Sequence, residues 1–268
     1  MASGVTVLPR RRAVVSLPVL SAAGVLTFFG AWIIASHSGW IPRAFLPSPF
    51  EVARKFVDLL HEPFGGSTLP VHLLSSMKRY FLGFGLAALI GVPLGLMMGW
   101  FRWLDDIFTP IFEALRYVAP IAWVPFAALW FGTGIGGPIL IIFTGAFPAC
   151  LVNSYRGARF VDNRLLEAAQ TLGAGSMRIL FEVIFPAALP SIVAGLRIAA
   201  GLGWQSLVGA ELIVVSSGIG YLMVLGQSSI NTAIVMCGMI AIGVVGALID
   251  FGLRAVEHRV RASWGQVT

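Results

Sequence analysis

The stretch Tyr80–Phe101, YFLGFGLAALIGVPLGLMMGWF, runs its whole length without a charged side chain. A helix needs about 20 mostly apolar residues to cross the hydrocarbon core of a bilayer. Gly and Pro inside the stretch are compatible with such a helix, because neighbouring helices can satisfy the backbone groups that these residues leave free. The stretch therefore predicts a transmembrane helix.

Five further apolar runs are candidates for spans. They are Val14–Ser36, Tyr117–Phe131, Pro138–Tyr155, Leu189–Leu212 and Ile230–Phe251. The run at Tyr117–Phe131 is short and holds two prolines, so a start near Ile107 is an alternative. Together the runs predict an all-α polytopic membrane protein with about six transmembrane helices. No repeat or flexible linker divides residues 1–268, so we expect a single transmembrane domain.

The composition indicates lipid as the solvent for much of the chain. Hydrophobic residues make up 57% and charged residues 11%, whereas soluble domains carry about 25% charged residues. The net charge of +6 does not indicate a nucleic-acid partner, because a DNA-binding protein needs its basic residues on one face. Cys150 and Cys237 lie in apolar runs without metal-ligand spacing, so neither a metal nor a cofactor is predicted.

The positions of Lys and Arg predict the orientation, because cytoplasmic loops of membrane proteins are enriched in both. The cytoplasmic set of twelve is Arg10, Arg11, Arg12, Arg102, Arg116, Arg156, Arg159, Arg164, Arg178, Arg254, Arg259 and Arg261. The external set of five is Arg43, Arg54, Lys55, Lys78 and Arg79, all in the connection Ser38–Arg79. We therefore expect a multi-pass membrane protein with both termini, including a tail at residues 1–12, in the cytoplasm.

The connection Ser38–Arg79 contains one predicted surface helix. Ser48 can cap a helix over Phe50–Leu60, in which six residues are apolar. We expect this helix at the outer membrane surface, and a loosely ordered loop is the alternative.

A second polar segment is VDNRLLEAAQTLGAGSMRILFEVIFPAALP at Val161–Pro190. Asp162 or Asn163 can accept hydrogen bonds from the free backbone N–H groups at the start of a helix. Gly173 can end that helix, because glycine adopts a positive φ without steric cost. The pattern predicts a short helix that ends in a glycine turn.

The rest of this segment predicts a second short helix. Ser176 can cap it, Met177–Phe185 form it, and Pro186 marks the exit toward the fifth span. The two helices would lie against the inner membrane surface, and the small residues of the first would permit close approach of a cytoplasmic partner.

The spacing in this segment resembles the EAA loop of bacterial ABC importer permeases. That pattern is EAA, three residues, Gly, nine residues, Ile, one residue, Leu and Pro. The chain has EAA at Glu167–Ala169, then Gly173, Val183, Phe185 and Pro186 at the same spacing. Val183 and Phe185 replace the Ile and Leu with other apolar residues.

Other segments are similar to permeases of the nitrate/sulfonate/taurine type. They are FLPSPFEV at Phe45–Val52, HLLSSMKRYFLGF at His72–Phe84, GVPLGLMMG at Gly91–Gly99, PIAWVPFAALWFG at Pro120–Gly132, and the segments around Ala210–Leu212 and Gly218–Tyr221. The resemblance implies the type I importer (MetI-like) permease fold, with residues 161–186 as its coupling loop.

The resemblance also implies partners and a task. It implies a permease homodimer embedded in the lipid of a bacterial plasma (inner) membrane, together with two ABC ATPase subunits and an extracytoplasmic solute-binding protein. The solute would be small and anionic or polar, such as a sulfonate, taurine or nitrate, and cyclic vitamin precursors remain open. The chain is not expected to hydrolyse ATP, because its only lysines, Lys55 and Lys78, stand outside any Gly-x-x-x-x-Gly-Lys-Ser/Thr loop.

The resemblance implies which residues couple the permease to its ATPase. The residues are Glu167, Ala168, Ala169, Gly173, Ala174 and Pro186. Glu167 either contacts the ATPase or is a helix-terminal acid paired with an arginine. Gly173 is expected to need a positive φ.

Four residues are candidates for the translocation pathway: Arg197, Trp204, Gln205 and Glu211. Arg197 either binds an anion or extends to the inner headgroups, and its depth favours the second. Trp204 either lines the pathway or packs in the core, which we favour. Glu211 either lines the pathway or lies solvated at the outer rim. Asp250 and Arg254 are expected to pair across one helical turn.

Two other functions compete with the importer. A membrane-embedded enzyme needs a nucleophile with a base, paired acids or metal ligands within the membrane, and the four histidines lie outside the predicted spans. A secondary transporter builds its ion site from intramembrane acids or broken helices, and no predicted span has an acid near its centre. Neither function would use an EAA loop.

Overall fold

A computed structural model describes residues 17–42, 44–213 and 215–263. Within these ranges the chain forms helices and no β-strand. The predicted cytoplasmic tail at 1–12, the beginning of the first predicted span at 14–16, and Arg43 lie outside the described residues.

Eleven α-helices occur in the described ranges. They are α1 Leu17–His37, α2 Pro49–His61, α3 Leu69–Trp100, α4 Arg102–Leu115, α5 Val124–Phe131, α6 Gly136–Arg159, α7 Asn163–Thr171, α8 Ser176–Ile179, α9 Phe185–Glu211, α10 Ile219–Ser228 and α11 Thr232–Ser263. A 3₁₀ turn, Pro120–Trp123, precedes α5, and a π turn, Leu180–Ile184, joins α8 to α9.

Length and hydropathy confirm a polytopic membrane protein. Among the described residues, five helices are long and apolar enough to cross a membrane, and there are six spans if α4 and the bent segment after it count as one. The five are α1, α3, α6, α11 and the continuous helix Ser176–Glu211. The predicted count of about six is therefore confirmed.

The centre of the bundle is α3, α6 and α9, held together by small residues. On α3, small residues recur at every fourth position from Gly83 through Ala87, Gly91 and Gly95 to Gly99. A Cβ on Gly91 would lie 2.9 Å from Cβ of Cys150, and one on Gly99 would lie 2.6 Å from Cβ of Ala158. Lipid gives no hydrophobic drive for helix association, so close backbone packing across small residues has to stabilise the bundle.

The second span is longer than predicted. It begins at Leu69 rather than Tyr80, so Lys78 and Arg79 lie on α3 and not in the connection before it. The prediction stopped at these charges because a charged residue inside a span is normally costly. Arg79 is tolerated because a buried carboxylate accompanies it, as described below.

The third predicted span is wrong as a single helix. The chain forms α4, leaves the helix at 116–119, and continues through the 3₁₀ turn into α5 at an angle of 88°. Pro120 explains the break, because the residue before a proline avoids the helical region. Ala119 accordingly has φ −57° and ψ 140°.

The second short helix and the fifth span are continuous, which corrects the predicted separation. Gly175, not Ser176, is the N-cap residue, and the helix runs from Ser176 to Glu211 without a gap. Pro186 has no N–H to donate to the carbonyl four residues earlier, so it would interrupt a regular helix. The π turn accommodates it: the N–H of Phe185 bonds to the carbonyl of Leu180, five residues back.

The last third of the chain differs from prediction in two ways. α10 was not predicted, and α11 continues to Ser263 rather than ending at Phe251. Beyond its apolar part, α11 carries the i,i+4 ion pairs Arg254–Asp250 and Arg261–Glu257, at 2.7 Å each. Such pairs stabilise an exposed helix. The predicted Asp250–Arg254 pair is thus confirmed.

The helix predicted over Phe50–Leu60 is confirmed as α2. Ser48 caps it, since its hydroxyl accepts from the N–H of Glu51 while the Glu51 carboxylate accepts from the N–H of Ser48 at 2.9 Å. This reciprocal arrangement satisfies two donors at the helix start. Val52 and Leu59 on its inner face are buried in a cluster that includes Leu222 of α10.

Candidate functional site

The predicted EAA segment begins with a capped helix. Asp162 is the N-cap of α7, and its side chain accepts a hydrogen bond from the N–H of Arg164 at 2.9 Å. Of the two residues proposed for this role, Asp162 takes it, while Asn163 is the first residue of the helix.

α7 ends in a turn that explains the spacing between Ala169 and Gly173. The N–H of Ala174 bonds to the carbonyl of Ala169 at 3.0 Å, and the N–H of Gly173 bonds to that of Gln170 at 2.9 Å. This pair of bonds is the Schellman motif, which requires a left-handed residue directly after the helix. Gly173 has φ +80°, so the expected positive φ is confirmed.

α7 has a packed face and an exposed face. Leu166, Ala169 and Ala174 are half-buried against a cluster formed by α8, the π turn and α6. Glu167 and Ala168 are exposed on the other side, and Leu172 at the end of the helix is 88% exposed. Glu167 makes no ion pair with any residue in the described ranges. The structure therefore leaves its carboxylate open to an outside contact.

Pro186 lies half-buried where this segment joins the fifth span. Because the helix is unbroken from Ser176 to Glu211, α7 and its turn are attached directly to a membrane-spanning rod. A displacement of α7 would reach the membrane core without passing through a flexible link.

Trp204, the first of the candidate pathway residues, lies in the core. Its side chain is 5% exposed, and its indole N–H donates to the carbonyl of Ile242 at 3.1 Å. Its ring packs edge-on against Tyr80 at 5.3 Å between centroids.

Arg197 belongs to an ion network between α9 and α11. Its Nε lies 2.7 Å from Oδ1 of Asp250, and its Nη1 lies 3.0 Å from Oε2 of Glu257. The guanidinium thus meets two carboxylates of the protein rather than extending alone toward headgroups. The sequence did not predict this pairing, because the partners are more than 50 residues away along the chain.

Glu211, the last residue of α9, is not solvated as the second alternative required, since it is 1% exposed. Its Oε1 accepts from Nη1 of Arg79 at 2.9 Å, and its Oε2 accepts from the hydroxyl of Ser76 at 2.8 Å and from the N–H of Gly220 at 3.1 Å. Arg79 also donates to the carbonyl of Ser217 at 2.8 Å. This buried network joins α3, α9 and α10.

His72 extends the network on the same face of α3. Its Nδ1 accepts from the N–H of Gly218 at 3.1 Å, so the ring proton is on Nε2, which donates to the carbonyl of Phe64 at 3.1 Å. Gly218 has φ +114°, and a Cβ there would collide with the Glu211 carboxylate. The spacing of His72, Ser76 and Arg79 is helical and could have indicated a polar face, had α3 been predicted to start at Leu69.

The amino-acid sequence matches one protein family over residues 91–262, the family described as "Binding-protein-dependent transport system inner membrane component". The match covers the whole of the EAA segment and the helices on both sides of it. The chain belongs to this permease family.

Relatives of the permease support the assignment. A putative ABC transporter permease protein of Methanocaldococcus jannaschii is 40% identical, over 76% of this chain and 78% of the relative. The taurine transport system permease protein of Escherichia coli is 35% identical, over 94% and 91%. A putative aliphatic sulfonates transport permease protein of Bacillus subtilis is 35% identical, over 85% and 82%. The predicted resemblance is confirmed: the chain is a permease subunit of an ABC importer.

The fold is confirmed by a solved structure. A chain of the MetNI methionine ABC transporter in an inward-facing conformation matches with a TM-score of 0.62 and 19% sequence identity, over 70% of this permease and 93% of that chain. The permease therefore has the MetI-like fold.

Gln205, the last candidate pathway residue, lines a cavity and makes no side-chain hydrogen bond within the described part of the chain. It is exposed on α9 and lines a cavity of about 400 Å³ between α6, α9 and the break after α4. Arg116 lies in the same cavity. In the sequence, Arg116 served only as an orientation signal, so its place in this cavity was not predicted.

Proposed function

We propose that two copies of this permease form the membrane pathway of an importer for a small oxyanion, such as a sulfonate, taurine or nitrate. Two ATPase subunits would supply energy from the cytoplasm, and an extracytoplasmic binding protein would deliver the solute. The named solutes of the Escherichia coli and Bacillus subtilis relatives support the solute class. Residues 1–268 would act as one transmembrane domain.

The observation that carries this proposal is the construction of the segment 161–186. One face of α7 is packed on the membrane helices, while the other presents Glu167, Ala168 and Leu172 to the exterior. The Schellman turn at Gly173 fixes the angle between α7 and the rod that begins at Ser176. A rigid element of this kind can move membrane helices as a body when a partner pushes it.

Energy must then come from the partner subunits. Lys55 lies on α2 and Lys78 lies on α3, and neither follows a glycine-rich loop that could cradle phosphates. We infer that the permease has no ATPase site of its own and that Glu167, Ala168, Ala169, Gly173, Ala174 and Pro186 form the coupling element.

The proposed orientation puts α7 and both termini in the cytoplasm of a plasma membrane. The basic residues outside the spans support it, since the excess of Lys and Arg remains on the α7 side when Lys78 and Arg79 are assigned to α3. Ser229, between α10 and α11, would then be external.

Thiol labelling tests this arrangement. Both native cysteines are buried, so a membrane-impermeant maleimide should report only an added thiol. Gln170→Cys should be labelled in inside-out vesicles and protected when the ATPase is bound, whereas Ser229→Cys should be labelled only in right-side-out vesicles. Labelling of Gln170→Cys from outside, or its indifference to the ATPase, would contradict the proposal.

Uptake tests the solute class. With its ATPase and binding protein in proteoliposomes, the permease should accumulate at least one of taurine, ethanesulfonate or nitrate in an ATP-dependent manner. Accumulation of none of these anions would refute an oxyanion as the solute while leaving the importer assignment intact.

A further inference from the structure

The break after α4 lies beside the middle of a spanning helix, α6. Its cavity is also lined by Thr144 and Pro148, which are near the middle of the spanning helix α6. Phe112 at the end of α4 packs on Phe147 of α6, with ring centroids 6.4 Å apart. Backbone that leaves the helix at this depth is tolerated only where protein buries it or where it lines a water-filled cavity.

Arg116 is the first residue of this break, and its guanidinium is only partly paired. Its Nε lies 3.0 Å from Oε2 of Glu113, and its Nη2 donates to the hydroxyl of Tyr117 at 2.8 Å. The guanidinium carbon lies 4.8 Å from the centroid of the Tyr117 ring. The Arg116 side chain is 33% exposed, and its Nη1 has no hydrogen-bond partner among residues 17–42, 44–213 and 215–263.

Gln205 supplies a second polar group in the same cavity that is not fully hydrogen-bonded. Its side chain makes no hydrogen bond within the described part of the chain, although it is on a spanning helix. An uncharged amide in a membrane is costly unless it meets a polar partner or water. A guanidinium fork and an amide NH₂ together are donors suited to the oxygens of an anion.

Arg79 and Arg197, two other arginines on spanning helices, lack this combination. Arg79 is 7% exposed, with its guanidinium bonded to Glu211 and Ser217. Arg197 faces two carboxylates, Asp250 and Glu257. Among these three arginines, only Arg116 combines a single carboxylate partner with a free donor and a cavity.

We propose that Arg116 and Gln205 bind the anionic group of the solute inside this cavity as it crosses the membrane. The proposal rests on the proposed import of a small oxyanion. The cavity opens along α9, where Gln205 and Leu202 also line a neighbouring cavity that contains Arg197. A second copy of the permease would close this open side and complete a path along α9.

The test measures uptake and ATP hydrolysis together, in proteoliposomes that contain the permease, its ATPase and saturating loaded binding protein. Radiolabelled taurine, ethanesulfonate and nitrate are the probes. For the probe that the unmodified transporter carries, Arg116→Gln should lower uptake roughly tenfold to a hundredfold, as expected for the loss of a charge-assisted hydrogen bond. Uptake by Arg116→Lys should lie between that of the unmodified transporter and that of Arg116→Gln, because lysine keeps the positive charge but lacks the forked guanidinium group.

Two comparisons separate anion binding from a structural ion pair. Glu113→Gln breaks the same ion pair but keeps the arginine, so its uptake should stay within about twofold of the unmodified transporter. ATP hydrolysis stimulated by the binding protein should also stay within about twofold in Arg116→Gln, because the coupling segment is unchanged.

Four outcomes overturn the inference. Glu113→Gln could lose uptake as severely as Arg116→Gln, or Arg116→Gln could lose uptake and hydrolysis in parallel, and either result would assign the arginine a structural role. Unchanged uptake in Arg116→Gln would remove it from the pathway while the proposed function stands. Failure of the unmodified transporter to carry any of the three anions would instead refute the proposed solute class, and this inference with it.

Discussion

Replacing Gly173 with alanine should weaken the coupling of the permease to its ATPase. The geometry of the turn sets the free-energy cost of this substitution. Gly173 has φ +80°, and a Cβ there would meet no atom within 4 Å. The cost is therefore purely that of a left-handed backbone with a Cβ, about 1–2 kcal/mol. A change of that size lowers the population of the native turn by a factor of about 5–30.

Side chains that differ in their tolerance of positive φ give a graded series. Asn enters the left-handed region more readily than Ala, and a β-branched residue enters it least readily. We expect coupling to decline from Gly173 through Gly173→Asn and Gly173→Ala to Gly173→Val. Gly175→Ser is the matched control, because Gly175 has φ −71°, has open space at its Cβ position, and is an N-cap, where serine is favoured.

The assay is ATP-driven uptake per ATP hydrolysed in proteoliposomes, with the amount of inserted permease measured in parallel. All variants should insert, and Gly175→Ser should match the unmodified permease. The reasoning is refuted if Gly173→Val couples as well as Gly175→Ser does, or if the order of the series does not follow tolerance of positive φ.

Three further perturbations probe the packing, the buried ion pair and the exposed face of α7. Gly95→Leu should lower the melting temperature of the detergent-solubilised permease, because even a Cβ there would collide with the carbonyl of Leu151. Gly85→Ala on the same helix is the control and should leave the melting temperature unchanged, because no atom lies within 4 Å of its Cβ position. Arg79→Gln should lower the free energy of unfolding by about 3–5 kcal/mol, because it leaves Glu211 buried without its charged partner. Denaturant unfolding measures this change, with Lys78→Gln as the exposed control. Equal stability of the two variants would contradict the prediction. Glu167→Lys should insert normally and abolish uptake, while Glu182→Gln, at another exposed carboxylate of the segment, should retain it; normal uptake by Glu167→Lys would exclude a role in coupling.

The EAA segment shows where sequence reasoning was sufficient. Its cap, its helix and its glycine turn depend on bonds between residues that are close along the chain, such as the bond from Ala174 to Ala169. Residue types therefore predicted that local structure. The path of the chain after Gly175 was predicted wrongly, because a π turn inserts one extra residue where a proline normally ends a helix.

The candidate pathway shows where sequence reasoning was insufficient. Arg197, Glu211 and Gln205 all stand on one apolar helix, and the sequence could not distinguish them. Their environments depend on groups far along the chain: Asp250 and Glu257 for Arg197, and Arg79 for Glu211. Only the packing of α3, α6, α9 and α11 determines which charge is neutralised and which polar side chain faces a cavity.

The sequence by itself determined the solvent, most of the long helices and the family, because apolar run length, short-range capping and motif spacing are properties of neighbouring residues. The tertiary structure alone decided that Glu211 is a buried partner of Arg79 and that Arg116 faces a cavity through a break in a span. The physical reason is that an intramembrane charge is stable only with a partner or with water. In this permease, helix packing brings those partners together across more than a hundred residues.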